Sequence, residues 1–160
     1  MSTQDAELPK APAVRGRPPH VLIVRAPYYR AVIDGLTEGA VRIVSETGGT
    51  LEILDVAGAF ELPQALRLAA KARRGFDGYV ALGCVIRGET DHYDFICQAT
   101  MQGCMDVALA HGLCLGTGLL TCDTLAQAEA RSGQDGHNKG AEAAAAALLQ
   151  IDAARRLGAG

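Results

Sequence analysis

A histidine follows a glycine turn at the end of an apolar stretch, a spacing that could support acid–base chemistry beside a bound anion. Residues 79–86 are rich in Val, Leu and Ile, which is typical of a strand buried on both faces. Gly88 ends that run, and Thr90 or Asp91 is placed to cap the helix that follows. A helix N-terminus attracts anions, because its free N–H groups lie at the positive end of a dipole. His92 would occupy the first turn of this helix, close enough to exchange protons with a molecule held there.

Each of these features also has an ordinary structural explanation. A glycine turn before a helix is common, and a single histidine near a helix start is more often a surface residue than a catalyst. Their combination favours a ligand site, because open α/β sheets bind ligands at the carboxyl ends of their strands.

Strands and helices alternate along the chain, and this order predicts the surroundings of His92. Four segments have the apolar, β-branched composition of strands: 20–26, 51–56, 77–86 and 113–121. A helical pattern follows each of them, which is typical of a parallel sheet covered on both faces. We predict an α/β protein, a three-layer α/β/α sandwich of the flavodoxin-like class with about four parallel strands. Residues 1–19 are predicted to form a flexible N-terminal arm, and residues 20–160 a single domain.

The loops after parallel strands meet at one edge of the sheet, and the unusual residues fall in these loops. Tyr28 follows the first strand, and residues 58–61 (GAFE) follow the second. An aromatic ring, a carboxylate and an anion site would suit a flat heterocycle that carries hydroxyls beside a phosphate. From the pattern alone, Tyr28 and Phe60 could equally be packing residues. The later loop 131–140, with Arg131 and Lys139, could be a phosphate clamp or a solvated connector.

Composition excludes several other classes of function. The net charge of −3 shows no excess of basic residues of the kind that binds nucleic acid. No apolar run approaches the roughly 20 residues of a membrane helix. Asp5, Glu7 and Pro9 stand where a secretory signal would be apolar, so we expect a cytoplasmic protein. The five cysteines form no C-x-x-C pair or His/Cys metal spacing, which predicts small buried thiols and no metal site. Walker A and G-x-G-x-x-G motifs are absent from the sequence.

Four stretches, in this order, resemble the lumazine synthase family. They are GAFELP at 58–63, ALGCVIRGETDHYD at 81–94, GLLT at 118–121 and NKG at 138–140. The resemblance extends from about His20 into the C-terminal helix, and the first two motifs are highly specific. It implies a transferase of the penultimate step of riboflavin biosynthesis. The implied reaction condenses 5-amino-6-(D-ribitylamino)uracil with 3,4-dihydroxy-2-butanone 4-phosphate, releasing phosphate and water without a metal or organic cofactor.

The resemblance also implies an assembly and a set of site residues. It implies homopentamers with active sites between adjacent subunits, and it leaves a sixty-subunit capsid open. His92 would be the acid–base group, and Arg131 of the neighbouring subunit would bind phosphate together with the backbone at Glu89 and Thr90. The other implied substrate-binding residues are Tyr28, Gly58, Ala59, Phe60, Glu61, Val85, Ile86, Thr117 and Lys139.

The sequence departs from the family pattern in three places. Pro27 precedes the aromatic residue where many members have Arg, and Thr117 takes a position that is often Phe. The loop 135–137 (DGH) differs from the commoner Lys-containing loop, which governs contacts between pentamers in this family. The sequence leaves two other functions open: a non-catalytic lumazine- or riboflavin-binding paralogue, and a flavodoxin-type FMN carrier. The presence of both His92 and Arg131 favours the enzyme over the binding protein.

Overall fold

Short apolar segments form the strands of this protein, and longer segments with apolar residues at helical spacing form its helices. The computed structural model describes residues 9–134 and 137–159. The strands are β1 (His20–Arg25), β2 (Thr50–Asp55), β3 (Gly78–Ile86) and β4 (Leu115–Cys122). The helices are α1 (Arg30–Glu46), α2 (Leu62–Ala72), α3 (His92–His111), α4 (Leu125–Glu129) and α5 (Lys139–Leu157). A 3₁₀ turn at Ala59–Glu61, which the sequence pattern did not predict, precedes α2.

The four strands form one parallel sheet in the order β2-β1-β3-β4. Helices α1 and α5 pack together on one face, and α2 and α3 cover the other. The structure therefore confirms the predicted three-layer α/β/α sandwich of the flavodoxin-like class. The direction in which strands are added to the sheet reverses between β1 and β3: β2 lies outside β1 on one side, and β4 lies outside β3 on the other. The loops after β1 and β3 therefore border the crevice where such sheets bind ligands.

The apolar core lies on both faces of the sheet, as the strand composition predicts. Residues 78–84 of β3 are all buried, because this strand lies inside the sheet and is covered by helices on both sides. Val21 and Ile23 of β1 face α1 and α5, whereas Leu22 and Val24 face α2 and α3. This alternation fixes the register of β1 and holds the loop that follows it at the sheet edge.

Two predictions of detail were wrong. Asp91 takes the N-cap position of α3, but its backbone is already helical (φ −66°, ψ −3°) and its side chain caps no N–H group. Thr90 therefore does not cap this helix either. The cysteines are not uniformly buried: Cys84, Cys104 and Cys122 are buried, whereas Cys97 and Cys114 are half-buried.

The chain before β1 includes a segment that contacts α5. Residues 1–8 of the predicted arm lie outside the described residues. Farther along, Arg15 donates to both carboxylate oxygens of Asp152, at 2.7 and 3.2 Å. Arg155 in turn donates to the main-chain oxygens of Arg15 and Arg17. No helix within the two described ranges combines the length and apolar character needed to cross a membrane.

Candidate active site

A cavity of about 550 Å³ opens at the carboxyl edge of the sheet, where the loops after β1, β2 and β3 meet. Its volume lies in the range of small-molecule sites. Eight of the predicted site residues line it: Tyr28, Gly58, Ala59, Phe60, Glu61, Val85, Ile86 and His92. The structure therefore brings together the aromatic, carboxylate and histidine groups that the sequence pattern assigned to one edge. We call this the histidine cavity.

Tyr28 reaches the histidine cavity from a tight turn after β1. Its N–H donates to the carbonyl of Ala26 at 2.8 Å, which closes a three-residue turn with Pro27 at the centre. Proline fixes φ near the value that this turn requires. Pro27, which stands where many members of the family have Arg, therefore favours the turn. The Tyr28 ring meets Tyr29 edge-on at 5.4 Å and is 77% exposed, which leaves its surface free to stack on a planar ligand.

The loop after β2 presents Phe60 and Glu61 to the same cavity. The Glu61 N–H donates to the carbonyl of Gly58 at 3.2 Å, forming the 3₁₀ turn, and Pro63 lies in the first turn of α2. Phe60 remains 51% exposed and Glu61 is half-buried. Glu61 is thus held at the cavity wall, where its carboxylate can accept hydrogen bonds from ligand hydroxyls.

His92 is the first residue of α3, and its side chain lines the histidine cavity. No side chain caps this helix, and the N–H groups of Asp94 and Phe95 donate to the carbonyl of Asp91. The earlier N–H groups, those of His92 and Tyr93, are the ones placed to bind an anion. Glu89 and Thr90 lie on the exposed loop just before His92, but neither lines the cavity. Their predicted contact with phosphate therefore stays a prediction that concerns the backbone of this loop.

Sequence reasoning missed the group that braces this loop, Arg87. Its guanidinium lies between Asp94 of α3 and Asp123 after β4, and 4.1 Å from the ring centre of Tyr93. The hydrogen bonds to both aspartates raise the pKa of Arg87, so it stays protonated. No short-range pattern marks Arg87, since its partners come from two other segments.

Three other residues of the histidine cavity were also missed: Tyr29, Cys84 and Ile96. Ile96 could have been found from spacing, because positions four apart on a helix share a face and His92 starts that helix. Burial raises the pKa of Cys84 to about 12, so its thiol is neutral near pH 7 and acts as an apolar wall.

Three other predicted residues lie elsewhere on the chain. Thr117, Arg131 and Lys139 line a separate pocket of about 240 Å³ along β4. This pocket, which we call the arginine pocket, shares no lining residue with the histidine cavity. Within this chain, therefore, the predicted acid–base group and the predicted phosphate-binding cations line different pockets.

The two cations of the arginine pocket are held by local hydrogen bonds. The Arg131 guanidinium donates to the carbonyl of Gln127 at 2.8 Å, and its own carbonyl accepts from the Lys139 N–H at 2.9 Å. The Lys139 ammonium contacts both carboxylate oxygens of Glu142, at 2.7 and 2.8 Å. Lys139 is also the first residue of α5, so the positive end of that helix lies beside both cations. The positive charges of Arg131, Lys139 and the start of α5 favour the binding of an anion in the arginine pocket.

Over residues 9–134 and 137–159, no three His, Cys, Asp or Glu side chains are grouped closely enough to hold a metal ion. Asp135 and Gly136, part of the loop that departs from the family pattern, lie outside the described residues.

Comparison with known proteins assigns the family. Residues 18–155 match the model of the family described as 6,7-dimethyl-8-ribityllumazine synthase. Proteins of that name from Bartonella tribocorum and Methylocella silvestris are 41% and 44% identical to this chain. Each alignment covers 88% of this chain, with 93% and 88% of the respective relative. A protein named 6,7-dimethyl-8-ribityllumazine synthase 1, from Rhizobium meliloti, is 42% identical over 89% of this chain and 96% of its own length. The chain therefore belongs to the 6,7-dimethyl-8-ribityllumazine synthase family.

Proposed function

We propose that this chain catalyses the formation of 6,7-dimethyl-8-ribityllumazine from 5-amino-6-(D-ribitylamino)uracil and 3,4-dihydroxy-2-butanone 4-phosphate, in riboflavin biosynthesis. The observation that carries the proposal is the histidine cavity itself, in which Tyr28, Glu61 and His92 face one space. Tyr28 would stack on the pyrimidine ring, and Val85 and Ile86 would contact its edge. The ribityl chain would lie against Gly58, Ala59 and Phe60, and its hydroxyls would donate hydrogen bonds to Glu61.

We propose further that the active site is completed by a second subunit. The histidine cavity has no Arg or Lys in its wall, whereas the arginine pocket has two cations and no acid–base histidine. A phosphate ester in the first cavity would need the cations of the second, because a dianion is costly to hold without positive partners. Thr117, Arg131 and Lys139 of a neighbouring copy would then close the cavity, with phosphate between Arg131 and the backbone at Glu89 and Thr90.

The residue types fit the steps of this condensation. The amine of the pyrimidine attacks the ketone, water leaves to give an imine, phosphate is expelled and the ring closes. Several protons move, and an imidazole can accept and donate them near neutral pH, which is the role of His92. Arg131 would stabilise the departing phosphate, and the enclosing walls would orient the two substrates for attack.

We propose that the working assembly is a homopentamer in the cytoplasm. Several large apolar side chains of α3 are exposed on the single subunit, among them Phe95, Met105 and Leu109, each 55% exposed or more. Such a face is expected to be covered in an oligomer. The five free cysteines would stay reduced in the cytoplasm.

Product formation from both substrates, followed by absorbance or fluorescence, tests the proposed reaction. Wild type is compared with Arg131→Ala and His92→Ala, and light scattering verifies that each variant assembles. We expect a clear wild-type rate, a strong loss in Arg131→Ala and a partial loss in His92→Ala. An assembled wild type that does not exceed the spontaneous rate would contradict the enzyme and favour the lumazine- or riboflavin-binding alternative.

Mixed assemblies test the shared site. One variant carries Tyr28→Ala and His92→Ala, and the other carries Arg131→Ala. If each site takes one wall from each neighbour, equal mixing leaves about a quarter of the interfaces with both walls intact. We expect activity to rise above that of either variant once native mass spectrometry shows mixed oligomers. A site contained within one subunit would give no gain.

A further inference from the structure

Asn138 is buried, with 2% of its surface exposed, and all of its side-chain polar groups are engaged. Its amide nitrogen donates to the carbonyls of Gly35, Ser132 and Gly133, at 2.8, 3.0 and 3.1 Å. Its amide oxygen accepts from the Ala141 N–H at 2.9 Å and so caps α5. One side chain therefore joins α1, the turn after Arg131 and the start of α5.

The helix α1 is shaped to receive this side chain. A Cβ atom at Gly39 would collide with the Asn138 amide, and one at Gly35 would collide with the carbonyl of Ser132. Glycine at both positions lets the loop approach the helix backbone directly. Gln134 adds a second link, because its amide donates to the same Gly35 carbonyl at 3.1 Å.

The anchored turn begins at Arg131. Arg131 is the residue directly before Ser132, whose carbonyl Asn138 holds, and its own carbonyl is bonded to the Lys139 N–H. The Arg131 side chain bonds to Gln127 of α4, which fixes the guanidinium relative to α4. The Asn138 hydrogen bonds therefore set the position of the Arg131 backbone against the arginine pocket.

We propose that Asn138 is a positioning residue for the phosphate half of the active site and acts through Arg131. This inference rests on the proposed function, in which Arg131 binds the phosphate of the four-carbon substrate. Asn138 lines neither cavity; it holds the turn that presents Arg131.

The test uses Asn138→Asp, which keeps an oxygen to cap α5 but replaces the amide donor with an oxygen that faces three carbonyls. We expect KM for 3,4-dihydroxy-2-butanone 4-phosphate to rise about tenfold, because the three main-chain carbonyls that hold the turn lose the amide that donates to them. KM for the pyrimidine should change by less than about twofold, since its cavity does not include this loop. Titration with inorganic phosphate, followed by ³¹P NMR, should show the same weakening without turnover.

A double-mutant cycle decides whether the effect passes through Arg131. In an Arg131→Ala background, Asn138→Asp should change KM for the phosphate substrate by less than about twofold. An undiminished tenfold effect in that background would overturn the positioning role, as would equal changes in KM for both substrates. If Arg131→Ala alone leaves phosphate binding intact, the phosphate role of Arg131 fails and this inference fails with it. If Arg131→Ala weakens binding but Asn138→Asp does not, only this inference fails.

Two further variants separate positioning from general loosening. Ile151→Ala removes a buried side chain of α5 that faces the core, away from the loop, and should lower stability without a selective change in either KM. A selective rise in the phosphate KM of Ile151→Ala would overturn the proposal. Should Asn138→Asp not fold, Asn138→Ser takes its place, because serine also caps a helix and cannot reach the three carbonyls.

Discussion

The guanidinium of Arg87 donates hydrogen bonds to both carboxylate oxygens of Asp94, at 3.1 Å each. Arg87 follows β3 directly and Asp94 lies in the first turn of α3, so this pair spans the loop that leads to His92. Arg87 also bonds to Asp123 after β4 at 3.0 Å. The start of α3 is thereby fixed relative to the ends of two strands, and the orientation of His92 depends on that fixed start.

Replacing Arg87 with Ala should therefore impair activity more than stability. The side chain is 44% exposed, so little unfolding free energy rests on its ion pairs. We expect kcat/KM to fall about tenfold, because small errors in the position of a catalytic group are costly. Hydrogen exchange of residues 88–96 should accelerate. Arg42→Ala is the matched control, since Arg42 is equally exposed and pairs with Glu46 within α1. Equal losses in both variants would contradict the bracing role.

Local patterns predicted the elements because each pattern lies within one segment. The apolar runs predicted all four strands to within two residues at each end. Strand alternation then placed Tyr28, residues 58–61 and His92 at one edge, which the histidine cavity confirms.

Contacts between distant segments were not predictable in the same way. The bracing of Arg87 joins three segments, and the hydrogen bonds of Asn138 join a loop to the middle of α1. Asp91 is a typical helix-capping residue type, but its backbone is helical and its side chain accepts no hydrogen bond from the first N–H groups of α3. Spacing within one chain also cannot show that Arg131 and His92 lie in different pockets.

Removal of the Tyr28 ring should affect binding of the pyrimidine selectively. Because Tyr28 is 77% exposed, Tyr28→Ala should change the free energy of unfolding by less than about 0.5 kcal/mol. KM for the pyrimidine should rise about tenfold through lost stacking, and Tyr28→Phe should stay near wild type. Leu157→Ala, at an equally exposed residue at the end of α5, is the control. A Tyr28→Phe variant as impaired as Tyr28→Ala would show that the hydroxyl, and not the ring, matters.

Arg25 links the ends of β1 and β2, from which the loops that carry Tyr28 and Glu61 begin. Its guanidinium bonds to Asp55 at the end of β2 at 2.6 Å and to Asp34 of α1 at 3.2 Å. Arg25→Met should lower the free energy of unfolding by about 1 kcal/mol, as two carboxylates lose their shared partner. It should also raise KM for the pyrimidine, because the loops after β1 and β2 are no longer tied. Asp34→Asn, which leaves the bond to Asp55, should have a smaller effect on KM.

The buried thiol of Cys84 should make the protein less stable at alkaline pH. Burial raises the pKa of Cys84 to about 12 from a usual value of 9.0. The folded state then keeps a proton that the unfolded chain loses, so the contribution is complete below pH 9 and declines as pH rises toward 12. Denaturant unfolding of wild type should show this decline, at most about 1.4 kcal/mol per pH unit, and Cys84→Ala should reduce the slope. Val80→Ala, in the same buried strand, should lower stability equally at every pH. An unchanged slope in Cys84→Ala would assign the alkaline loss to other groups.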